Sequence, residues 1–202
     1  MRHHYHRFTI IFPMTDREEL LELINTKAIV RGKVILSSGK EADYYIDMRR
    51  ITLDGVAAPL VGRVMTDLTA DWQFDVVSGL TMGADPVGAA MLHTAAAGGG
   101  RLDQAVVRKA AKDHGLQKRI EGADVAGKRV LVVEDTSTTG GSALQAVAAL
   151  REAGAEVVGV AVVVDRGTGA QEAVAEAGVP YRYAFGVDEL TGDAIHCVTY
   201  CG

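Results

Sequence analysis

The chain has 202 residues, of which 48% are hydrophobic, and its formal net charge is −5. This length supports one well-filled core and is short for two. No apolar run approaches the roughly 20 residues that span a bilayer, and an acidic chain without a second basic face argues against nucleic-acid binding.

The first predicted element is a helix that begins after Thr15. Thr15 and Glu18 have the spacing of a capping box, and an apolar-periodic sequence follows them. Residues 1–13 combine basic side chains with an apolar run that is too short for a signal peptide. We therefore predict a leader over 1–13 that need not be ordered, and a folded domain that begins near Met14.

Beyond this helix, strand-like and helix-like segments alternate. Strands are predicted at 74–78, 104–107, 130–133 and 156–164, and an alanine-rich helix at 83–97. Alternation of this kind is typical of a parallel sheet covered on both faces by helices. Because no repeat or linker separates the segments, residues 14–202 are predicted to form a single domain.

A cationic loop follows the predicted strand at 104–107. From Arg108 to Arg119 there are five Lys or Arg residues and one acid, Asp113. On an acidic chain such a loop suits a polyanionic ligand, although a solvated basic loop is the alternative. The next segment, 122–129, fits the spacing GxxxxGK, but it ends in Arg and precedes a strand, so it is predicted to be a turn and not a P-loop.

The stretch VLVVEDTSTTGGSA, residues 130–143, joins a predicted strand to a predicted helix. Glu134 and Asp135 fall at the carboxyl end of the apolar strand 130–133, where open α/β sheets place their ligands. The following loop has hydroxyls and two glycines, and the helix after it offers free amides that favour an anion. The arrangement suits a phosphorylated sugar; the alternative is that the two acids cap the helix.

This stretch resembles the phosphoribosyl diphosphate signature of the type I phosphoribosyltransferases. The resemblance implies that the two acids hold the ribose 2′ and 3′ hydroxyls and that the loop holds the 5′-phosphate. The donor-binding residues it implies here are Glu134, Asp135, Thr136, Ser137, Thr138, Thr139, Gly140, Gly141 and Ser142. The implied fold is α/β, a type I phosphoribosyltransferase-like parallel sheet flanked by helices, with a small N-terminal hood segment over the base site to which residues 14–50 contribute.

The cationic loop resembles the mobile catalytic loop of the orotate phosphoribosyltransferases within this family. The resemblance places Arg108, Lys109, Lys112 and His114 at positions that contact the diphosphate. It implies that Lys112 and Asp135 are the catalytic residues.

Two further segments are similar to the same enzymes. Residues 36–47, LSSGKEADYYID, resemble the segment that covers the orotate site, with Tyr45 and Ile46 where the base would pack. Residues 162–170, VVVDRGTGA, resemble the strand end at which Arg166 binds the orotate carboxylate together with Thr138. An arginine fork suits bidentate binding of a carboxylate, and a surface ion pair of Arg166 with Asp165 or Glu172 is the alternative.

Two positions depart from the pattern of these enzymes. Ser37 stands where many members carry Lys, and Thr81 stands in a loop where some carry a Tyr and Lys pair. Both changes remove a cation near the diphosphate. More of the charge is therefore left for the cationic loop to supply.

The resemblance implies transfer of a phosphoribosyl group from phosphoribosyl diphosphate to orotate, with Mg²⁺ as cofactor and a homodimer whose mobile loop reaches the neighbour's active site. Because Mg²⁺ usually keeps waters and substrate phosphates as ligands, no dedicated set of protein metal ligands is predicted. The alternatives are a purine or uracil phosphoribosyltransferase, which would differ at Arg166 and in the loop, and a regulator of the same fold that binds nucleic acid.

The only cysteines, Cys197 and Cys201, lie close to the end of the chain. In a strand they would be roughly 13 Å apart, too far for a disulfide without a bend. Reduced thiols in a cytoplasmic protein, with no membrane partner, are therefore predicted.

Overall fold

The structure is a computed structural model that describes residues 13–35, 41–110 and 119–191. Its elements in chain order are α1 (Asp16–Leu23), a π-helical turn (Ile24–Ala28), β1 (Ile29–Ile35), β2 (Glu41–Ile46), α2 (Arg49–Thr52), α3 (Ala57–Leu68), β3 (Val76–Ser78), α4 (Ala84–Ala97), β4 (Asp103–Val107), β5 (Ile120–Gly122), β6 (Arg129–Ser137), α5 (Gly141–Glu152), β7 (Glu156–Asp165), α6 (Ala170–Glu176), β8 (Tyr181–Gly186) and α7 (Val187–Thr191). The leader 1–13, apart from Pro13, and both cysteines lie outside the described residues.

Helix α1 begins with the predicted capping box. The backbone N–H of Glu18 donates to Thr15 Oγ1 at 3.3 Å, and the backbone N–H of Thr15 donates to Glu18 Oε2 at 2.8 Å. Two amides that the helix cannot satisfy itself thus gain partners. The helix is anchored by Leu20, which is buried in the core.

Within the described residues, six strands form the central sheet in the order β5-β4-β3-β6-β7-β8. Five are parallel, and the edge strand β5 is antiparallel to β4. Along β6, Leu131 and Val133 face a core formed with α3 and α4, while Val130 and Val132 face a second core formed with α5 and α6. The predicted parallel sheet with helices on both faces is confirmed.

The predicted strand before the two acids ends later than expected. The strand predicted at 130–133 continues to Ser137, because Thr136 and Ser137 still pair with Val164 and Asp165 of β7. The predicted end of the strand is therefore wrong, but Glu134 and Asp135 do lie near the carboxyl end of β6, as predicted. The predicted helix 83–97 is confirmed as α4.

The N-terminal strands β1 and β2 form a separate antiparallel sheet, with Ile29 opposite Ile46 and Val30 opposite Tyr45. This hairpin is the structural counterpart of the predicted hood segment. No helix in the described ranges is long and apolar enough to cross a membrane.

Candidate active site

Two consecutive carboxylates on β6, Glu134 and Asp135, lie against the residue that precedes α4. A Cβ atom built on Gly83 would lie 2.4 Å from Glu134 Oε1 and 2.6 Å from Asp135 Oδ1. Both distances are too short for a real Cβ contact, so only glycine leaves room for the two carboxylates at this position. The sheet, in which β3 lies beside β6, thus brings the acids and a glycine from a distant part of the sequence into one site.

The two carboxylates are shielded from solvent and repel one another. Burial, followed by the charge of Asp135, raises the pKa of Glu134 to about 8. Burial also raises the pKa of Asp135, against the opposing effects of the Thr136 N–H, which donates to Asp135 Oδ1 at 2.7 Å, and of the Arg49 charge. Glu134 is 5% exposed, and its Oε2 has no hydrogen-bond partner among the described residues. The pair therefore favours a ligand that donates hydrogen bonds, such as a sugar diol.

We expect Glu134→Gln to stabilise the unliganded protein at alkaline pH. The raised pKa means that folded Glu134 keeps a proton between about pH 4.5 and pH 8 that the unfolded chain releases, so the free energy of unfolding falls as the pH rises through this window. Glutamine removes the ionisation, and its advantage over wild type should grow by on the order of 2 to 4 kcal/mol from pH 5 to pH 9. Urea unfolding at both pH values measures it.

The control for this measurement is Glu152→Gln, which changes an exposed carboxylate on α5. Its stability relative to wild type should vary little between the two pH values. Parallel pH dependences of wild type and Glu134→Gln would show that Glu134 ionises freely in the folded protein.

Asp85, in the first turn of α4, adds a third carboxylate beside the pair. Its charge also raises the pKa of Glu134. Oδ2 accepts a hydrogen bond from Thr81 Oγ1 at 2.7 Å, whereas Oδ1 is buried without a partner among the described residues. Thr81 is also held to the end of β4, since its N–H donates to the Val107 carbonyl at 2.8 Å. The loop between β3 and α4 is thus fixed against the acidic pair.

The loop between β6 and α5 presents backbone and hydroxyl groups to solvent. Thr138, Thr139, Gly141 and Ser142 are exposed. Gly140 has φ 76°, a left-handed conformation that favours glycine, and it caps α5 without a side chain. The first amides of this 12-residue helix therefore have no side-chain cap and can receive an anion.

Arg166 follows β7 directly and is tied to this loop. Its backbone N–H donates to the Ser137 carbonyl at 3.0 Å, and Thr168 Oγ1 donates to the Thr138 carbonyl at 2.6 Å. Thr136 is partly buried and Ser137 is buried, so Ser137 contributes here through its backbone. The turn that carries Arg166 and the loop that carries Thr138 form one hydrogen-bonded unit.

The alternative that Arg166 pairs with Asp165 or Glu172 does not hold among the described residues. Asp165 accepts hydrogen bonds from the Gly167 N–H at 2.8 Å and from the Tyr181 hydroxyl at 2.9 Å. Burial, followed by this hydrogen bond, raises the pKa of Tyr181 well above its usual range. Among the residues that the structure describes, the salt bridges of the chain do not include Arg166. Its guanidinium is therefore left for another carboxylate.

The hood hairpin approaches this guanidinium with a tyrosine that the sequence did not single out. Arg166 Cζ lies 6.0 Å from the ring centroid of Tyr44, a distance at which a cation–π attraction operates. Ile46, expected to pack on the base, is instead 4% exposed and part of the core. The contact with the base stays a prediction for Tyr45.

Comparison with known proteins identifies the architecture around this site. A family model described as "Phosphoribosyl transferase domain" matches residues 52–180. The chain is 71% identical over 175 residues to the orotate phosphoribosyltransferase of Streptomyces avermitilis, which covers 86% of this chain and 96% of that protein. The chain belongs to the orotate phosphoribosyltransferase family.

Other members of the family agree with this assignment. The orotate phosphoribosyltransferase of Mycobacterium avium is 60% identical over 175 residues, covering 87% of this chain and 96% of that protein. A crystal structure of the Mycobacterium tuberculosis enzyme in complex with 5-phospho-alpha-D-ribosyl 1-diphosphate has a TM-score of 0.78 and 53% identity, covering 88% of this chain and 100% of that chain. The resemblance inferred from the sequence is confirmed, together with the fold that it implied.

The cationic loop of this phosphoribosyltransferase is described only at its ends. Arg108 Nη1 forms a salt bridge with Glu121 Oε1 at 3.0 Å, and the Arg108 N–H donates to the Arg119 carbonyl at 2.8 Å. Lys109 is exposed. Lys112 and His114, like Ser37 in the hood segment, lie outside the described residues, so their roles stay predictions.

A cavity of about 880 Å³ lies between α3 and α4 of the enzyme, next to the loop at Thr81. Most of its lining is apolar, and Met82 and Asp85 connect it to the acidic pair. Neither this cavity nor the roles of Gly83 and Asp85 were predicted from the sequence. The available signal was local: in GADP, after a buried strand, a glycine precedes a helix and an acid lies in the first turn of that helix.

Proposed function

We propose that the protein catalyses the orotate phosphoribosyltransferase reaction, in which the 5-phosphoribosyl group of phosphoribosyl diphosphate is transferred to orotate. The products are orotidine 5′-phosphate and diphosphate, and the reaction belongs to de novo pyrimidine (UMP) biosynthesis. One observation carries the proposal: the carboxyl ends of β6 and β7 bring three features together. These are a buried acidic pair, an open helix N-terminus and an arginine without a salt bridge among the described residues.

Transfer replaces diphosphate by the base nitrogen at the anomeric carbon, so positive charge develops on the ribose and negative charge on the leaving group. The reaction requires no protein nucleophile, so catalysis depends on positioning the substrates and on stabilising these two charges electrostatically. In our proposal Glu134 and Asp135 accept hydrogen bonds from the ribose hydroxyls and lie near the developing positive charge.

The 5′-phosphate is proposed to bind at the start of α5. The contributing segment runs from Thr136 to Ser142, with the exposed hydroxyls of Thr138, Thr139 and Ser142 and the amides around Gly140 and Gly141. At the other end of the donor, Arg108, Lys109, Lys112 and His114 are proposed to neutralise the diphosphate and exclude water.

Orotate is proposed to bind between the hood and the end of β7. The guanidinium of Arg166 would hold its carboxylate with two parallel hydrogen bonds, and Thr138 would add a further contact. This base specificity separates the proposal from a purine or uracil phosphoribosyltransferase, whose base has no carboxylate.

Phosphoribosyltransferases generally use Mg²⁺ with phosphoribosyl diphosphate. In the described part of the chain, no group of three or more His, Cys, Asp and Glu side chains is arranged to hold a metal ion. The unpartnered oxygen of Glu134 and the nearby Asp135 fit a hydrated ion that arrives with the donor. We propose that Mg²⁺ is bound through diphosphate, ribose hydroxyls and water; when bound it neutralises part of the diphosphate charge.

The proposed reaction is tested by following diphosphate release with orotate, uracil and hypoxanthine in parallel, with phosphoribosyl diphosphate and Mg²⁺ present. Release should depend on orotate and be near background with the other two bases. Faster release with uracil or hypoxanthine would assign the protein to a different base.

We also propose that the protein works as a homodimer in which each cationic loop completes the neighbour's site. Leu53 and Met82 line the apolar cavity between α3 and α4 and are exposed, as is the nearby Val56. Exposed apolar surface of this kind is typical of an interface. We further propose that residues 14–202 form one domain after a leader, and that the protein is cytoplasmic with reduced thiols.

Mixing Lys112→Ala with Asp135→Asn subunits should restore activity that neither variant has alone. If the loop acts in trans, a mixed dimer carries both lesions in one site and leaves the other intact. Random exchange makes half of the dimers mixed, so about a quarter of wild-type activity is expected. The measurement is diphosphate release after subunit exchange. If mixed dimers form, as checked by mass spectrometry, and activity does not return, the loop acts in cis.

A further inference from the structure

Arg49 is a basic residue that none of the roles above includes. It begins α2, directly after the hood strand β2, and its side chain is 48% exposed. It lines the 880 Å³ cavity together with Met82 and Asp85, the two residues that flank the Gly83 and Ala84 backbone. The side chain therefore stands at the junction between the hood, the cavity and the acidic pair.

The guanidinium of Arg49 is anchored through one nitrogen. Nε donates to Asp47 Oδ1 at 3.0 Å, and this hydrogen bond raises the pKa of Arg49, so the group stays charged. Within the described ranges, its two terminal nitrogens have no hydrogen-bond partner. The charge of Arg49 also acts on Asp135, whose pKa it lowers against the effect of burial. The terminal nitrogens are thus positioned, charged and unoccupied by protein acceptors.

The other basic side chains of the cavity are committed elsewhere or lie further away. Arg63 binds Asp16 through two nitrogens, at 2.7 and 3.0 Å. His93 lies two turns along α4 from Asp85, roughly 12 Å by the rise of a helix. Among the described basic side chains that line this cavity, Arg49 is therefore the one that has unoccupied nitrogens beside the acidic pair.

The order of groups along the donor determines what Arg49 would meet. In the proposed binding mode the 5′-phosphate lies at the start of α5 and the ribose hydroxyls lie at Glu134 and Asp135. The diphosphate on the anomeric carbon then extends to the opposite side, toward Met82 and Asp85. No residue of α5 lines the cavity on that side. A diphosphate placed there needs a cation, because the carboxylates of Asp85 and Asp135 would otherwise repel it.

We propose that Arg49 binds the diphosphate group of phosphoribosyl diphosphate and supplies the cation that Ser37 and Thr81 do not. The inference rests on the proposed function for the identity of the donor, but not on the identity of the base. Arg49 would offer two N–H groups to diphosphate oxygens in the geometry that guanidinium groups favour with phosphates.

The test compares Arg49→Ala with Arg50→Ala by titration calorimetry. Arg50 also approaches Asp47, at 3.8 Å, and is exposed, but it does not line the cavity, so it is a matched control for loss of charge. Arg49→Ala should weaken binding of phosphoribosyl diphosphate with Mg²⁺, and of inorganic diphosphate, by about 10- to 100-fold. Binding of ribose 5-phosphate, which has no diphosphate, should stay within about twofold. Arg50→Ala should resemble wild type with all three ligands.

A structural role for Arg49 predicts a different result. The proposal would be overturned if Arg49→Ala weakened the binding of ribose 5-phosphate and of diphosphate equally, or if it bound diphosphate with wild-type affinity. It would also be overturned if the loss of diphosphate affinity occurred only in protein that sedimentation shows to be monomeric. Arg49→Lys should recover part of the diphosphate affinity, since it keeps the charge but not the fork. If wild type binds the donor but does not use orotate, the proposed reaction fails and the Arg49 test stands.

Discussion

Replacing Arg166 by alanine is expected to cost the enzyme about 2 to 4 kcal/mol in kcat/KM for orotate, or roughly 30- to 1000-fold, while binding of phosphoribosyl diphosphate changes little. The loss follows because the orotate carboxylate would enter the site without its bidentate partner. The backbone of the turn should persist, since the Arg166 N–H, the Asp165 carboxylate and Thr168 form its hydrogen bonds without the Arg166 side chain.

Steady-state kinetics with each substrate varied in turn separates the two effects. Arg151→Ala is a suitable control, because Arg151 is an exposed residue in the last turn of α5 that donates to the Ala177 carbonyl. An orotate KM and kcat equal to wild type in Arg166→Ala would remove this side chain from the base site.

Gly83→Ala is expected to reduce turnover by roughly 100-fold or more without unfolding the protein, because displaced charges lose most of their catalytic value. The new Cβ atom would lie within 2.6 Å of both acidic side chains, so at least one carboxylate must move from its place against the loop. The backbone itself accepts alanine, since Gly83 has φ −64° and ψ −42° at the start of α4.

The matched control is Gly98→Ala at the other end of the same helix, where the nearest atom to a new Cβ is the Ala95 carbonyl oxygen at 3.5 Å. Both variants should keep a cooperative thermal transition, and only Gly83→Ala should lose donor affinity and kcat. Wild-type kinetics in folded Gly83→Ala would mean that the acids can shift without consequence and do not position the ribose.

Much of the local structure could be predicted from the residues alone. Three features depend only on residues that are neighbours in the sequence, so they can be recognised without knowledge of the fold. They are the capping box of α1, the buried strand that carries Glu134 and Asp135, and the glycine loop before α5. The strands β1, β2, β5 and β8 were not predicted. β5 has three residues, and β8, with the sequence YRYAFG, has no period-two pattern; it lies at the edge of the sheet, where pairing with β7 stabilises it.

The end of β6 also could not be predicted from local sequence. Thr136 and Ser137 carry hydroxyls that favour a turn after the acids. Pairing with Val164 and Asp165 of β7 extends the strand through them instead. Tertiary pairing thus outweighs local preference at this position.

The sequence by itself determined the chemistry of the site: two acids, hydroxyls and glycines before a helix, and an arginine after the longest apolar run. Only the tertiary structure decided that Gly83 meets the two carboxylates, that Arg166 is tied to Ser137, and that Tyr44 and Arg49 face the site. The physical reason is the order of the sheet, which places β3 and β7 on either side of β6. That order follows from burying both faces of the sheet under helices, a property of the whole chain that no local pattern contains.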